Sequence, residues 1–328
     1  MTEYRIECPS TENKSIDERA VLLLNNIKRW ICSPAMQKLV ERFGGSIDDS
    51  ASLMNIVNDL NSFVNIWDFR KLQAGGGERW NITDTEKVLE NKDLIYECAT
   101  ELGLVNQTEP VFNPDYILPL GGARMSNLFR PGQAKKTLES HQDCSAAVVA
   151  LSGKRPINEI ETEFINQYAP DASTEYDAIC SGLEKSFGLE HEYHETDFVT
   201  PNLNMQWAKR EYSELYRDSR IFSIAAPSSD PKRRANSFDT FEFFMEQFDV
   251  KEGSKVLLVT SAIYVPFQLL KFMPIALKEN IMVDCIGVDS TQAGTQFNQP
   301  VNYLQELKGA VNAVKTLCDE YPELAGNI

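Results

Sequence analysis

The middle of the chain contains an uninterrupted apolar run, Ala146-Ala147-Val148-Val149-Ala150-Leu151, which is followed by Ser152-Gly153-Lys154. A short apolar run without polar alternation is typical of a strand buried on both faces, as in a parallel sheet covered by helices. Four similar runs lie at 116–120, 221–226, 256–259 and 282–288, and small or hydroxyl-bearing residues follow each of them. Because segments of helix length separate most of these runs, we predict an open doubly wound, mainly parallel five-stranded sheet of the Rossmann-like α/β class.

The first hundred residues have the periodicity of helices instead. Ser15 is predicted to cap a helix whose apolar residues recur at helical spacing, and Pro34 is predicted to break or restart it. Further helices are predicted over 51–64 and 84–102. We therefore predict three parts: a helical N-terminal region at 1–110, a Rossmann-like domain at 111–328, and a polar, helix-prone insertion within that domain near 190–218.

Charge and cysteine usage limit the classes of partner. The 328 residues include 32 Lys and Arg against 48 Asp and Glu, so the formal net charge is −16. Duplex DNA and anionic membranes need a broad basic face, and we expect neither as a partner. Seven scattered cysteines, a polar start and no apolar run of membrane length predict a protein with reduced thiols in the cytoplasm. The oligomeric state is left open.

Basic residues recur where the predicted strands end. Arg124 follows the first strand, Lys154 and Arg155 follow the second, and 232–234 follow the third. Parallel sheets bind ligands at the carboxyl ends of their strands, and loops rich in glycine and hydroxyl groups can offer backbone N–H groups to an anion. The pattern predicts a site for a phosphate or a carboxylate. It is equally compatible with surface loops that carry basic residues and bind nothing.

The predicted site has a defined membership. Two loops are expected to hold the anion with their backbone amides, Gly121-Gly122 and Ser152-Gly153. Three cations are expected to neutralise it, namely Arg124, Lys154 and Arg233. A carboxylate for acid–base chemistry or for gripping ribose hydroxyls is expected to be Glu175 or Asp239, although capping the helix that opens near 237 would also explain Asp239. The other lining residues are predicted to be Ser237, Thr240, Thr260, Ser261 and Tyr264.

Several short motifs occur in one order along the chain. They are Gly121-Gly122, Ser152-Gly153, Ser173-Thr174-Glu175 with Ala178, Ser237-Phe238-Asp239-Thr240-Phe241-Glu242 and Leu258-Val259-Thr260-Ser261. Through these motifs, residues 114–295 resemble the YdcF/SanA/ElyC-type proteins, a domain family of unknown function. The resemblance implies a Rossmann-like sheet and a nucleotide-like ligand, and S-adenosylmethionine is a candidate because some relatives are associated with it. Lys154, Phe243 and 265–267 depart from the family pattern.

Other catalytic signatures are missing from the sequence. His191-Glu192-Tyr193-His194 does not have the H-E-x-x-H spacing of a zinc site, and no metal site is predicted. There is no G-x-S-x-G, G-x-G-x-x-G or Walker A sequence. We therefore expect a protein that binds a small anionic or nucleotide-like metabolite, as an enzyme of transfer or hydrolysis type. A non-catalytic sensor and a methyltransferase-like protein that uses S-adenosylmethionine stay open, and Gly75–Gly77 is a candidate lid.

Overall fold

The structure is a computed structural model that describes residues 4–73, 77, 81–106, 109–141, 145–190, 192–289 and 299–328. In chain order its helices are α1 Ile16–Ile31, α2 Pro34–Arg42, α3 Leu53–Phe63, α4 Phe69–Leu72, α5 Glu86–Glu90, α6 Lys92–Glu101, α7 Ser126–Ser140, α8 Glu159–Ile165, α9 Glu175–Phe187, α10 Ser237–Gln247, α11 Val265–Lys278, α12 Pro300–Glu320 and α13 Pro322–Asn327. Its strands are β1 Tyr116–Pro119, β2 Ala147–Ser152, β3 Tyr193–Phe198, β4 Trp207–Tyr212, β5 Ile221–Ala225, β6 Lys255–Ser261 and β7 Met282–Val288.

The described residues form one mixed, mainly parallel sheet in the order β3-β4-β5-β2-β1-β6-β7. Strands β5, β2, β1 and β6 pair in parallel, whereas β4 is antiparallel to both of its neighbours. The α/β class and the N-terminal helices are confirmed. The prediction of five strands is wrong, because the sheet has seven.

The two additional strands lie in the segment near 190–218 that was predicted to be a helical insertion. β3 and β4 form an antiparallel hairpin there, and most residues of β3 are exposed. A strand with both faces in water has no apolar run, so its sequence resembles a polar helix. Cross-strand contacts stabilise the hairpin instead: the guanidinium of Arg210 lies 3.7 Å from the ring centre of Tyr193 and donates a hydrogen bond of 2.8 Å to Glu195.

Side chains alternate between the two faces of the sheet. Ile117 and Ile221 belong to a buried cluster that also includes residues of α7 and α9. Their neighbours Tyr116 and Phe222 instead form edge-to-face ring contacts with Phe244 and Phe248, at the end of α10. Because successive strand residues point to opposite faces, α10 covers one face and α7 with α9 cover the other. The sheet is therefore buried on both sides along its parallel strands.

The chain divides into two compact units. The first comprises Met1–Thr108, Ala262–Met282 and Asp289–Ile328, and the second comprises Glu109–Ser261 and Val283–Val288. The first unit therefore includes α11, α12 and α13 as well as the N-terminal helices. The second unit contains the sheet, apart from Met282.

The helix starts predicted in the first unit are confirmed. Ser15 and Glu18 form a capping box at the start of α1, and Ser33 caps α2, which begins at Pro34. Further along α1, Arg19 is fully buried and donates hydrogen bonds to the carbonyl oxygens of Ala276 and Ile281. This contact satisfies carbonyl groups at and just beyond the end of α11.

Candidate functional site

The strand order of the second unit fixes where its loops meet. From β1 the chain passes to β2 and later to β5 on one side, and then to β6 and β7 on the other side of β1. The order therefore reverses between β1 and β6, and the carboxyl ends of the parallel strands lie at one edge. Open α/β sheets bind their ligands at such an edge.

The loop after β1 uses its own backbone N–H groups. Gly121 donates to the carbonyl oxygen of Leu151 at 2.6 Å, and Gly122 donates to Oδ1 of Asn127 at 2.9 Å. Asn127 in turn donates from Nδ2 to the carbonyl oxygen of Gly122 at 2.7 Å. These two amides, which the sequence offers to an anion, are therefore occupied within the protein in this conformation.

Arg130 joins the ends of β1 and β6 and was not singled out from the sequence. Its Nη1 atom donates to the carbonyl oxygens of Leu120 and Gly121 at 2.7 and 2.5 Å, and its Nη2 atom donates to Oγ of Ser261 at 3.2 Å. The residue is 4% exposed. Asn127 and Arg130 are three positions apart, so both lie on one face of α7. This spacing was the sequence signal that could have indicated them.

An ion network follows β2. Arg155 donates from Nη1 and Nη2 to the two carboxylate oxygens of Glu161 at 2.6 and 3.0 Å, and from Nε to Oε2 of Glu175 at 2.8 Å. Burial by itself raises the pKa of Glu161, but the hydrogen bonds and charge of Arg155 outweigh it and hold that pKa below its usual value. Glu161 was not predicted from the sequence either. The available signal was Asn158 three residues earlier, because the two residues have the spacing of a capping box, and α8 begins with that capping box.

Glu175 lies directly over Gly121. A Cβ atom built on Gly121 would overlap Oε1 of Glu175 and lie 2.9 Å from the carbonyl oxygen of Leu151. The helix start predicted at 173–175 is confirmed, because Thr174 caps α9 and Glu175 is its first residue. The loop after β1, the loop after β2 and the start of α9 therefore meet at this carboxylate.

Two cations stand beside the network. Arg124 has a left-handed backbone (φ 55°) and places its guanidinium 4.6 Å from the ring centre of Phe164, while Nζ of Lys154 lies 4.5 Å from the ring centre of Tyr176. Among the residues that the structure describes, neither forms an ion pair, and none accepts a hydrogen bond from the backbone N–H of Gly153 or Lys154. The end of β2 thus carries a lysine together with two N–H groups that donate to no described residue.

Asp239 and Arg233 form a separate pair after β5. Arg233 donates to both carboxylate oxygens at 2.5 and 3.1 Å, and the N–H groups of Asn236 and Ser229 also donate to them. Burial raises the pKa of Asp239, but these donors outweigh it and lower that pKa to about 2. Asn236 caps α10 and Asp239 completes the capping box, so the capping role expected for Asp239 is confirmed. Thr240 donates from Oγ1 to the carbonyl oxygen of Ser237 at 2.9 Å.

The other predicted lining residues are distributed as follows. Ser152 is buried and donates to the carbonyl oxygen of Ile224 at 3.0 Å, and Thr260 and Ser261 are buried at the end of β6. Tyr264 belongs to the first unit. Gly75 and Gly76 of the candidate lid and His191 of the weak histidine motif lie outside the described residues. Within the ranges described, no group of three or more His, Cys, Asp and Glu side chains is arranged to hold a metal ion.

Within the part of the chain that the structure describes, no helix combines the length and the apolar character needed to cross a bilayer.

Comparison with known proteins corrects the resemblance drawn from the short motifs. No solved structure matches the chain. The chain is 26% identical to two proteins, the uncharacterized protein Rv3785 of Mycobacterium tuberculosis and the uncharacterized protein Mb3814 of Mycobacterium bovis. Each alignment covers 95% of this chain and 94% of the relative. The resemblance to the YdcF/SanA/ElyC-type family is therefore wrong: two-residue glycine and serine motifs recur at strand ends of many α/β sheets. Residues 14–103 match the family model described as the Rv3785 N-terminal domain, and it is to that domain that the N-terminal helices are similar.

Proposed function

We propose that the second unit binds a small metabolite through a phosphate or carboxylate group at the carboxyl end of β2. Nucleotides, phosphorylated sugars and S-adenosylmethionine are the candidate classes of ligand. The observation that carries the proposal is the group formed by Lys154 and the backbone N–H groups of Gly153 and Lys154, which donate to no residue in the described ranges. A lysine next to backbone N–H groups is a common arrangement for binding an anion.

The distribution of charge supports the same conclusion. Arg155 lies between two carboxylates, which neutralise it, whereas Arg124 and Lys154 form no ion pair with any described residue. In a chain with a net charge of −16, these two side chains give one edge of the sheet a locally positive character. Such a site attracts a small anion, while the acidic surface around it repels large polyanions.

Whether the bound ligand reacts separates two forms of the proposal. The first is an enzyme of transfer or hydrolysis type, with Glu175 as its carboxylate. The second is a non-catalytic binding or sensor protein, which is favoured because Asp239, one of the two carboxylates expected for acid–base chemistry, does not suit that role. A general base that works near neutral pH needs a pKa near that pH, and Asp239 has a pKa of about 2 and four donors. A location in the cytoplasm is part of both forms.

A thermal-shift screen tests the proposal. Inorganic phosphate, AMP, ribose 5-phosphate and S-adenosylmethionine are added to the wild type, to Lys154→Ala and to Lys185→Ala. Lys185 is exposed in the last turn of α9 and provides a control for the loss of one lysine. A ligand that binds the folded state raises the Tm of the wild type and of Lys185→Ala by several degrees at saturating concentration, and raises that of Lys154→Ala much less.

Two results would overturn the proposal: no anion shifts the wild type, or Lys154→Ala responds as the wild type does. Mass spectrometry of the ligand after incubation then separates the two forms. A changed mass supports the enzyme, and an unchanged ligand supports the binding protein.

A further inference from the structure

We propose that Glu175 selects ligands that carry a hydroxyl group close to their anionic group, by accepting a hydrogen bond from that hydroxyl at Oε1. The class of ligand is then a phosphorylated polyol or sugar, the ribose phosphate of a nucleotide included. This inference rests on the proposed function, because it assigns a ligand class to the same site.

The two oxygens of the Glu175 carboxylate have different surroundings. Oε2 accepts the hydrogen bond from Nε of Arg155, and no residue in the described ranges donates to Oε1. The side chain is 15% exposed, and Oε1 is not among the fully buried polar atoms that lack a partner. Oε1 is therefore a carboxylate acceptor that solvent reaches, at the edge where the strands end.

The Glu175 carboxylate is held in a fixed orientation by its neighbours. Arg155 fixes one oxygen of Glu175, and the fully buried Glu161 fixes Arg155 through two hydrogen bonds. Gly121 leaves room for the other oxygen, because any larger residue would place its Cβ at Oε1. An acceptor that is already oriented loses little conformational entropy when a ligand binds, so its hydrogen bond contributes fully to selectivity.

The charges around Glu175 restrict the group that a ligand can place against it. A carboxylate repels an anion, so the anionic group must lie towards Lys154 and the group that faces Glu175 must be a donor. The three cations Arg124, Lys154 and Arg155 and the two carboxylates Glu161 and Glu175 have formal charges that add up to +1. A phosphate monoester brings a charge of about −1.5 to −2 to such a site at pH 7, and an ammonium group in the same molecule would cancel about one of these charges. A neutral hydroxyl donor next to a phosphate is therefore favoured over an ammonium donor.

The test compares two phosphate monoesters by titration calorimetry with the full chain. Ribitol 5-phosphate and n-pentyl phosphate both have five carbons and one phosphate, and they differ in the hydroxyl groups alone. The wild type is expected to bind ribitol 5-phosphate at least about 10-fold more tightly, which is the usual effect of a hydrogen bond to a charged acceptor. Inorganic phosphate is titrated as well, as the probe for the anion site alone.

The matched variants are Glu175→Gln and Glu163→Gln. In Glu175→Gln the amide oxygen is expected to face Arg155, so the ligand meets an NH2 donor where it had an acceptor. The preference for ribitol 5-phosphate should fall below about 3-fold, while inorganic phosphate binds at least as well as before. Glu163 is exposed on α8, so Glu163→Gln should keep the full preference. Glu175→Asp, which withdraws the carboxylate by one methylene group, serves if Glu175→Gln does not fold.

The possible failures are distinguishable. If neither ester nor inorganic phosphate binds the wild type, the site does not bind phosphate, and this inference is wrong together with the phosphate form of the proposed function. If both esters bind equally well, the anion site stands and selection by a hydroxyl is wrong. If the preference persists in Glu175→Gln, the ligand is selected by another residue and the role given to Glu175 is wrong.

Discussion

Nε of Arg155 donates a hydrogen bond of 2.8 Å to Oε2 of Glu175, and this contact ties the loop after β2 to the first turn of α9. The same guanidinium ties that loop to α8 through Glu161, whose side chain is fully buried. One arginine therefore positions a buried carboxylate and an accessible one. The site depends on this side chain even if it never touches a ligand.

Replacement of Arg155 by methionine should destabilise the protein strongly. Arg155→Met keeps much of the side-chain volume but leaves Glu161 buried without its cation, which typically costs about 3–5 kcal/mol. Urea unfolding at neutral pH measures the loss. Arg220→Met is the matched control, because Arg220 pairs with Glu211 on the surface and such pairs contribute about 0–1 kcal/mol. Equal losses in the two variants would contradict the assignment of Arg155 as the centre of a buried network.

Substitution of Gly121 should affect both stability and binding. In Gly121→Ala the new Cβ overlaps Oε1 of Glu175 and approaches the carbonyl oxygen of Leu151, so we expect a loss of about 1–3 kcal/mol. The displaced carboxylate should also lose its preference between the two phosphate esters. Gly153→Ala is the control for the loss of stability alone, since its Cβ would meet its nearest neighbours at 3.5 and 3.8 Å, an ordinary contact. Comparable destabilisation of both variants in urea would argue against a close approach at Gly121.

Replacement of Gly182 by alanine should destabilise the protein, although alanine usually stabilises a helix. It lies within α9, where Gly→Ala normally stabilises by up to about 1 kcal/mol. Here the Cβ would overlap the backbone carbonyl oxygen of Asn127, so α7 and α9 would have to move apart. Gly182→Ala should lower the Tm by several degrees.

Gly326 provides the comparison for Gly182. It lies in α13, and its Cβ would meet nothing within 4 Å, so Gly326→Ala should leave the Tm unchanged or raise it. If Gly182→Ala also leaves the Tm unchanged or raises it, the contact between α7 and α9 is looser than described.

The sequence predicted the parallel strands because burial on both faces leaves an unmistakable pattern. Residues 282–288 form β7 with the predicted bounds, and the predicted run at 146–151 differs from β2 by one residue at each end. The hairpin of β3 and β4 escaped prediction for the opposite physical reason. Its strands are held by Arg210, Tyr193 and Glu195, and such contacts between distant residues leave no local apolar signal.

The candidate site was predictable to a similar degree. Arg124, Lys154 and Glu175 follow from the position of basic and capping residues at strand and helix ends. Glu175 belongs to the ion network of Arg155, while Arg124 and Lys154 lie close to the rings of Phe164 and Tyr176. Asn127 and Arg130 did not follow, since only the close approach of α7 to the ends of β1 and β6 gives them their roles. Whether the amides of Gly121 and Gly122 are available also depends on that approach.

The pair of Asp239 and Arg233 should make stability depend on pH in the acid range. The pKa of Asp239 is lowered from 3.8 to about 2 in the folded protein, so its contribution is fully present above the unfolded value and is lost as the pH falls from about 4 to about 2. The contribution is on the order of 1–2 kcal/mol, reduced by solvent because Arg233 is 38% exposed. The free energies of unfolding of the wild type and Asp239→Asn, measured in urea, should therefore differ at pH 7 and converge towards pH 3, because the unfolded carboxyl takes up its proton first.

Asp249→Asn is the control, because Asp249 is exposed. Its free energy of unfolding should follow that of the wild type at every pH. A difference between wild type and Asp239→Asn that grows as the pH falls would mean that the carboxyl is protonated in the folded state and that Arg233 does not hold it ionised.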